Sequence, residues 1–125
     1  MNDILYFNIA GINFHATGED VGNILGYTQP HPVEADPGAI GCFLQTGKLV
    51  GFIPKARQEE YKQFAKDGAN EENQCLFSGN IKRVRKRDGS TFFVGNIALA
   101  KGDKLGKILE NHYTKDFNIY NGQLL

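Results

Sequence analysis

The sequence predicts an α+β protein built as a small, partly open β-barrel of about six strands with two helices. Three observations lead there. Short runs rich in aromatic and β-branched residues recur along the chain, divided by Gly, Pro and Asp-Gly signals. Two stretches instead space their apolar residues as a helix does. The 125 residues, 41% hydrophobic and 22% charged, are enough for one core and too few for two. The 15 glycines are in excess of an average chain, so turns and bulges should be frequent.

Residues 4–14 read as a long strand with Gly11 at a bend or bulge. Residues 15–26 are mixed, with a short helical turn around 20–25. Pro30, Pro32 and Pro37 argue against a central strand over 27–37, which reads as an ordered loop or irregular edge. The apolar run 39–44, the turn Gln45-Thr46-Gly47-Lys48 and the run 49–53 form a hairpin. A helix follows, with Pro54 in its first turn, Ala56, Tyr61, Phe64 and Ala65 on one face, and Gly68 as its stop. Residues 73–87 and 91–99 are strands joined at Asp88-Gly89. A second helix is expected over 102–113, with Leu105, Ile108 and Leu109 apolar; residues 117–120 form a last strand or a tail.

The net charge is zero, but the charges are segregated. Residues 1–47 carry five acids (Asp3, Glu19, Asp20, Glu34, Asp36) and no Lys or Arg. Residues 80–107 carry eight bases against two acids. Such a run is either a phosphate-binding patch or a solvated hairpin tip. No stretch approaches the roughly 20 apolar residues that span a bilayer, and the N-terminus lacks the basic region of a secretory signal. Cys42 and Cys75 are too few for a disulfide scaffold and lack metal-ligand spacing. They read as buried thiols in a reducing cytoplasm.

Enzyme motifs are thin. Phosphate loop, nucleophile elbow and HExxH helix are all missing. His15, His31 and His112 show no ligand spacing. Cys42 sits in an apolar run, where a thiol is usually a packing group, and Glu59 and Glu60 lie on the charged side of their helix. No catalysis, metal or cofactor is expected.

Three motifs in order carry a resemblance. They are Ile9-Ala10-Gly11-Ile12-Asn13-Phe14-His15, a Pro-rich loop ending Asp36-Pro37-Gly38-Ala39-Ile40, and, after a hairpin, Val50-Gly51-Phe52-Ile53-Pro54-Lys55. This pattern resembles the HIRAN domain family from residue 4 to 68, and on to 99. Residues 1–100 are therefore expected to form a HIRAN-like domain, with 101–125 a helix and tail packed on it or extending it. The resemblance implies an OB-like barrel that captures the 3′-hydroxyl end of single-stranded DNA.

Carried over residue by residue, the resemblance gives Asp36 the terminal hydroxyl. An ionised carboxylate only accepts hydrogen bonds, so it suits a hydroxyl and repels a phosphate. The alternative for Asp36 is a turn cap beside Pro37-Gly38. Phe14 and His15 fall where the family places base-stacking rings, although Phe14 would equally suit the core. Lys55 falls at the family's basic residue opening the helix, where it can meet a phosphate. Asn13 and Phe52 stand where a well-known member has Arg and His. The Pro-loop has one extra residue, and Val33-Glu34-Ala35 replaces Asn-Pro-Tyr. Lys82, Arg83 and Arg85 would add phosphate contacts. The expected partners are single-stranded DNA or DNA ends, together with a DNA-remodelling or repair protein, and no membrane. The rival is a protein-interaction module that docks through the barrel or the Phe92-Phe93 strand on a larger repair, restriction or phage-related protein.

Overall fold

Alternation along the strands decides which side chains fill the barrel. Leu5, Phe7 and Ile9 are buried, whereas Tyr6 and Asn8 between them are exposed. The same period puts Phe77 and Ile81 from one later strand, and Ile97 and Leu99 from the next, into the same core.

The computed structural model describes residues 4–68 and 74–100. Its strands are β1 (Ile4–Asn8), β2 (Gly22–Pro30), β3 (Ile40–Leu44), β4 (Leu49–Phe52), β5 (Cys75–Arg85) and β6 (Thr91–Ala100). They form one antiparallel sheet in the order β1-β6-β5-β2-β3-β4. The sheet curls into an OB-like half-barrel, so the expected fold class holds. The two sheet edges meet at one end, where Ala10 and Phe52 exchange backbone hydrogen bonds of 2.7 and 2.9 Å. Further along this seam the Arg57 guanidinium donates to the Tyr6 carbonyl, lies 4.3 Å over the Phe7 ring and pairs with Glu60. An edge carbonyl that would otherwise be open to another strand is thereby occupied.

The helix α1 (Gln58–Gly68) begins after a 3-10 turn, Lys55–Arg57, whose N-cap is Pro54. It is fastened at the end of the barrel by Tyr61 and Phe64, both buried. The Tyr61 hydroxyl lies 2.7 Å from Thr28 Oγ1, and that Thr28 oxygen also donates to the Cys75 carbonyl at 3.3 Å. Burial pushes the Tyr61 phenol well above its ordinary value, with the neighbouring thiols adding to the shift. Cys42 and Cys75 pair with Thr28 from opposite sides, on β3 and β5. That puts them about 10 Å apart, beyond disulfide reach. Burial raises both thiols, and Cys42 packs in the core.

Several boundaries differ from expectation. The first strand stops at Asn8. Gly11, at φ 69°, takes the left-handed conformation that glycine adopts without penalty, and the chain enters a 3-10 turn, Ile12–Phe14. That turn drops Ile12 into the core. The helical turn lies at Gly18–Asp20, earlier than expected. β2 then runs through Tyr27 as a central strand, despite the prolines. Pro30 is its last residue and pairs with Ile40 after the β2–β5 pairing has ended at Thr28, so its missing N–H interrupts no ladder. Ala56 is exposed, because it sits in the 3-10 turn before the helical face begins. The β3–β4 and β5–β6 hairpins follow expectation. In the latter Gly89 has φ 89° and the Asp88 carboxylate accepts from the Ser90 N–H at 2.8 Å. The second expected helix and the last strand lie outside the described residues.

Candidate nucleic-acid interface

Five rings lie in series across the outer surface of β2, β3 and β4. His15, which ends the 3-10 turn after Gly11, packs edge-on against Phe52 of β4, with centroids 5.8 Å apart. Phe52 meets His31 of the Pro-rich loop at 5.9 Å, and His31 meets Phe43 of β3 edge-on at 5.5 Å. Phe43 stacks on Tyr27 of β2 at 5.4 Å, with planes only 13° apart. All five are half-buried. Tyr27 and Phe43 are cross-strand partners, as are Gly41 and Phe52. Gly41 leaves the space on which the series depends. A Cβ there would lie 2.7 Å from the Phe43 ring and 3.1 Å from His31 Cβ.

The sequence alone singled out His15 and Phe52 from this series. It missed Tyr27, His31 and Phe43, because their proximity follows from the β2–β3 register. The available signal was a Pro-flanked His31 closing a loop between two strands that both carry aromatics.

A second group gathers at the β5–β6 hairpin. Phe14 is 89% exposed, which removes the core reading of that ring. It lines a hollow of about 510 Å³ with Asn13, Phe92 and Phe93. The Arg83 guanidinium lies 5.3 Å over the Phe93 ring and rests against Gly18, and the Lys86 ammonium lies 5.5 Å over Phe92. Arg85 is exposed further toward the tip. Lys82 is half-buried, and by strand alternation it projects from the face opposite Arg83 and Arg85. The basic run is therefore divided between two faces rather than presented as one patch. The 3-10 turn joins the two groups, with Phe14 toward the hairpin and His15 toward Phe52.

Asp36 stands at the start of α1. Its Oδ2 accepts from Gln58 Nε2 at 2.8 Å and its Oδ1 from the Gly38 N–H at 3.2 Å. The carboxylate thus caps its own turn, as the alternative reading expected. Each oxygen keeps a lone-pair direction for another donor. Lys55, one turn before Gln58, is exposed. Asp36, through Gln58, and Lys55, three residues beyond Phe52 in the chain, therefore stand at the same helix start.

Asp20 anchors the Gly18–Asp20 turn. It accepts from the Thr17 N–H at 2.8 Å and pairs with Lys48 at 2.6 Å. Burial raises its carboxyl, but Lys48 and the Thr17 N–H outweigh that and hold it below the ordinary value. Among the described residues no cluster of His, Cys, Asp and Glu has the makings of a metal site. No helix among them is long and apolar enough to cross a membrane.

In structure the chain is similar to the HIRAN domain of human HLTF, at 14% sequence identity and a TM-score of 0.42, over 91% of this chain and 88% of that one. No family model matches the sequence, and no curated protein matches it.

Proposed function

We propose that this protein binds single-stranded nucleic acid, with single-stranded DNA ending in a free 3′-hydroxyl as its preferred ligand, and that it acts as a non-catalytic module in DNA repair or processing. The observation that carries the reading is the unbroken series of rings from His15 to Tyr27. Ring faces on a barrel surface stack with bases whatever their sequence, at about 1–3 kcal/mol per base. The exposed Phe14 ring and the Arg83 and Arg85 side chains extend that track toward the hairpin, where the cations meet phosphates. Asn13 supports this end by fixing the turn that carries Phe14, and Lys82 and Lys86 contribute from the opposite face. On the Phe52 side of the track, Lys55 contacts the last phosphate and Asp36 accepts the terminal hydroxyl through its free lone pairs. The order of motifs that resembles the HIRAN family supports the same assignment.

The test is fluorescence anisotropy with one short oligonucleotide carrying either a 3′-hydroxyl or a 3′-phosphate, across a salt series. The hydroxyl form should bind about tenfold more tightly, the worth of one charge-assisted hydrogen bond. Asp36→Asn should remove the difference without loss of fold. Equal affinities for the two ends in the unaltered protein would eliminate end recognition. No binding at low salt would eliminate the nucleic-acid reading altogether.

A further inference from the structure

A groove of about 330 Å³ runs between the Pro-rich loop and the helix. Ala39, Ile40 and Tyr61 form its floor and are at most 3% exposed. Pro30 and Pro37 make one wall and Ala65 the other. Lys62 and Lys66 stand at the rim, exposed and one helical turn apart. Neither pairs with an acid among the described residues. Asp36, which like Lys62 lies close to Gly38, is engaged by Gln58 and the Gly38 N–H. Glu60 is tied to Arg57.

The chemistry of the groove restricts its occupant. The Tyr61 hydroxyl is turned into the core toward Thr28, so the floor offers no polar group. A small polar ligand needs convergent donors and acceptors to fix its orientation, and here only the two ammonium groups at the rim provide any. A nucleobase would find no open ring face, because the Tyr61 ring is buried. An aliphatic side chain fits the Pro, Ile and Ala walls, and carboxylates beside it would meet Lys62 and Lys66. We infer that this groove docks a short acidic peptide segment of a protein partner, with one aliphatic side chain seated between Pro37 and Ala65 and flanking carboxylates on Lys62 and Lys66.

The test uses the full chain and an array of short synthetic peptides. Each has a central Leu, Ile, Val or Met flanked by Asp, by Ser or by Lys. At least one Asp-flanked peptide should bind about tenfold or more tightly than its Ser-flanked and Lys-flanked counterparts. Lys62→Glu combined with Lys66→Glu should abolish that preference, and both positions are surface residues whose change leaves the core intact. Ala65→Phe should block binding by filling the groove while circular dichroism stays unchanged. If no Asp-flanked peptide outbinds its Lys-flanked counterpart, the inference is overturned. It is also overturned if the double lysine variant loses affinity for an oligonucleotide while its peptide binding is untouched, since the groove would then serve nucleic acid.

Discussion

The Asn13 side-chain amide exchanges two hydrogen bonds with the backbone of Phe93. Asn13 Nδ2 donates to the Phe93 carbonyl at 3.0 Å, and the Phe93 N–H donates to Asn13 Oδ1 at 2.6 Å. β1 has already ended at Asn8, so β6 would otherwise leave this rung unpaired. One side chain thus replaces a strand residue, and it fixes the 3-10 turn on which Phe14 and His15 stand. The position where a HIRAN member carries Arg is here a clamp for the turn rather than a cation.

Asn13→Ala should cost about 1–2 kcal/mol for two lost hydrogen bonds in a solvated setting. The Phe93 amide should exchange faster with solvent, and affinity for a single strand should fall because Phe14 and His15 lose their fixed position. Asn13→Asp keeps the acceptor for the Phe93 N–H and should recover part of the protection. Hydrogen exchange followed by NMR checks both variants.

Gly41→Ala tests the spacing of the rings without removing one. The added methyl meets Phe43 and His31, so the rings must separate. Stability should drop by about 1–2 kcal/mol, as for overpacking elsewhere. Oligonucleotide affinity should fall about tenfold, the loss of one stacked base. A thermal melt and a titration of the same sample give both values.

Acid should weaken the fold partly through Asp20. Its carboxyl lies below the ordinary value in the folded chain, so the unfolded chain takes up the proton first as pH falls. The stability it contributes is fully present above about pH 4 and disappears as pH drops through the folded value. Asp20→Asn should therefore flatten the acid limb of a urea-midpoint against pH curve and cost about 1–2 kcal/mol at neutral pH. The Asp88 carboxyl is also lowered, by Ser90, but it is fully exposed, so solvent screening keeps its contribution small.

Alkali acts through Tyr61 and the two thiols. Burial raises all three groups. The unfolded chain releases these protons first, so stability holds below the ordinary thiol and phenol values, about 8.5 and 10, and declines above them. Tyr61→Phe should remove part of that decline. It should cost about 1 kcal/mol at neutral pH, because Thr28 retains the Cys75 carbonyl as its acceptor. Denaturant midpoints from neutral to alkaline pH check the slope.

The hairpins were legible because their turns are local: Gly47 and Asp88-Gly89 mark them within a few residues. The helix was legible from the spacing of Tyr61, Phe64 and Ala65. The end of β1 was not, since it depends on Gly11 turning the chain so that Ile12 can plug the core. Nor was the central place of β2, because the prolines that argue against a strand there begin only at its last residue. In the site, Phe52 and His15 could be named from motif order. Tyr27, Phe43 and His31 join them only through pairing of residues on separate strands, and the Asn13 clamp bridges 80 positions of sequence.

Phe52 sits at the centre of the account, touching both His15 and His31. The decisive measurement is the affinity of Phe52→Leu for a short single-stranded oligonucleotide, read by fluorescence anisotropy beside the unaltered protein. Leucine keeps the backbone bridge to Ala10 and most of the apolar bulk but offers no ring face. A fall of about 1–3 kcal/mol, roughly tenfold to a hundredfold, with an unchanged melting temperature is the predicted result. An unchanged affinity would contradict the assignment of the ring series as the surface that holds the strand.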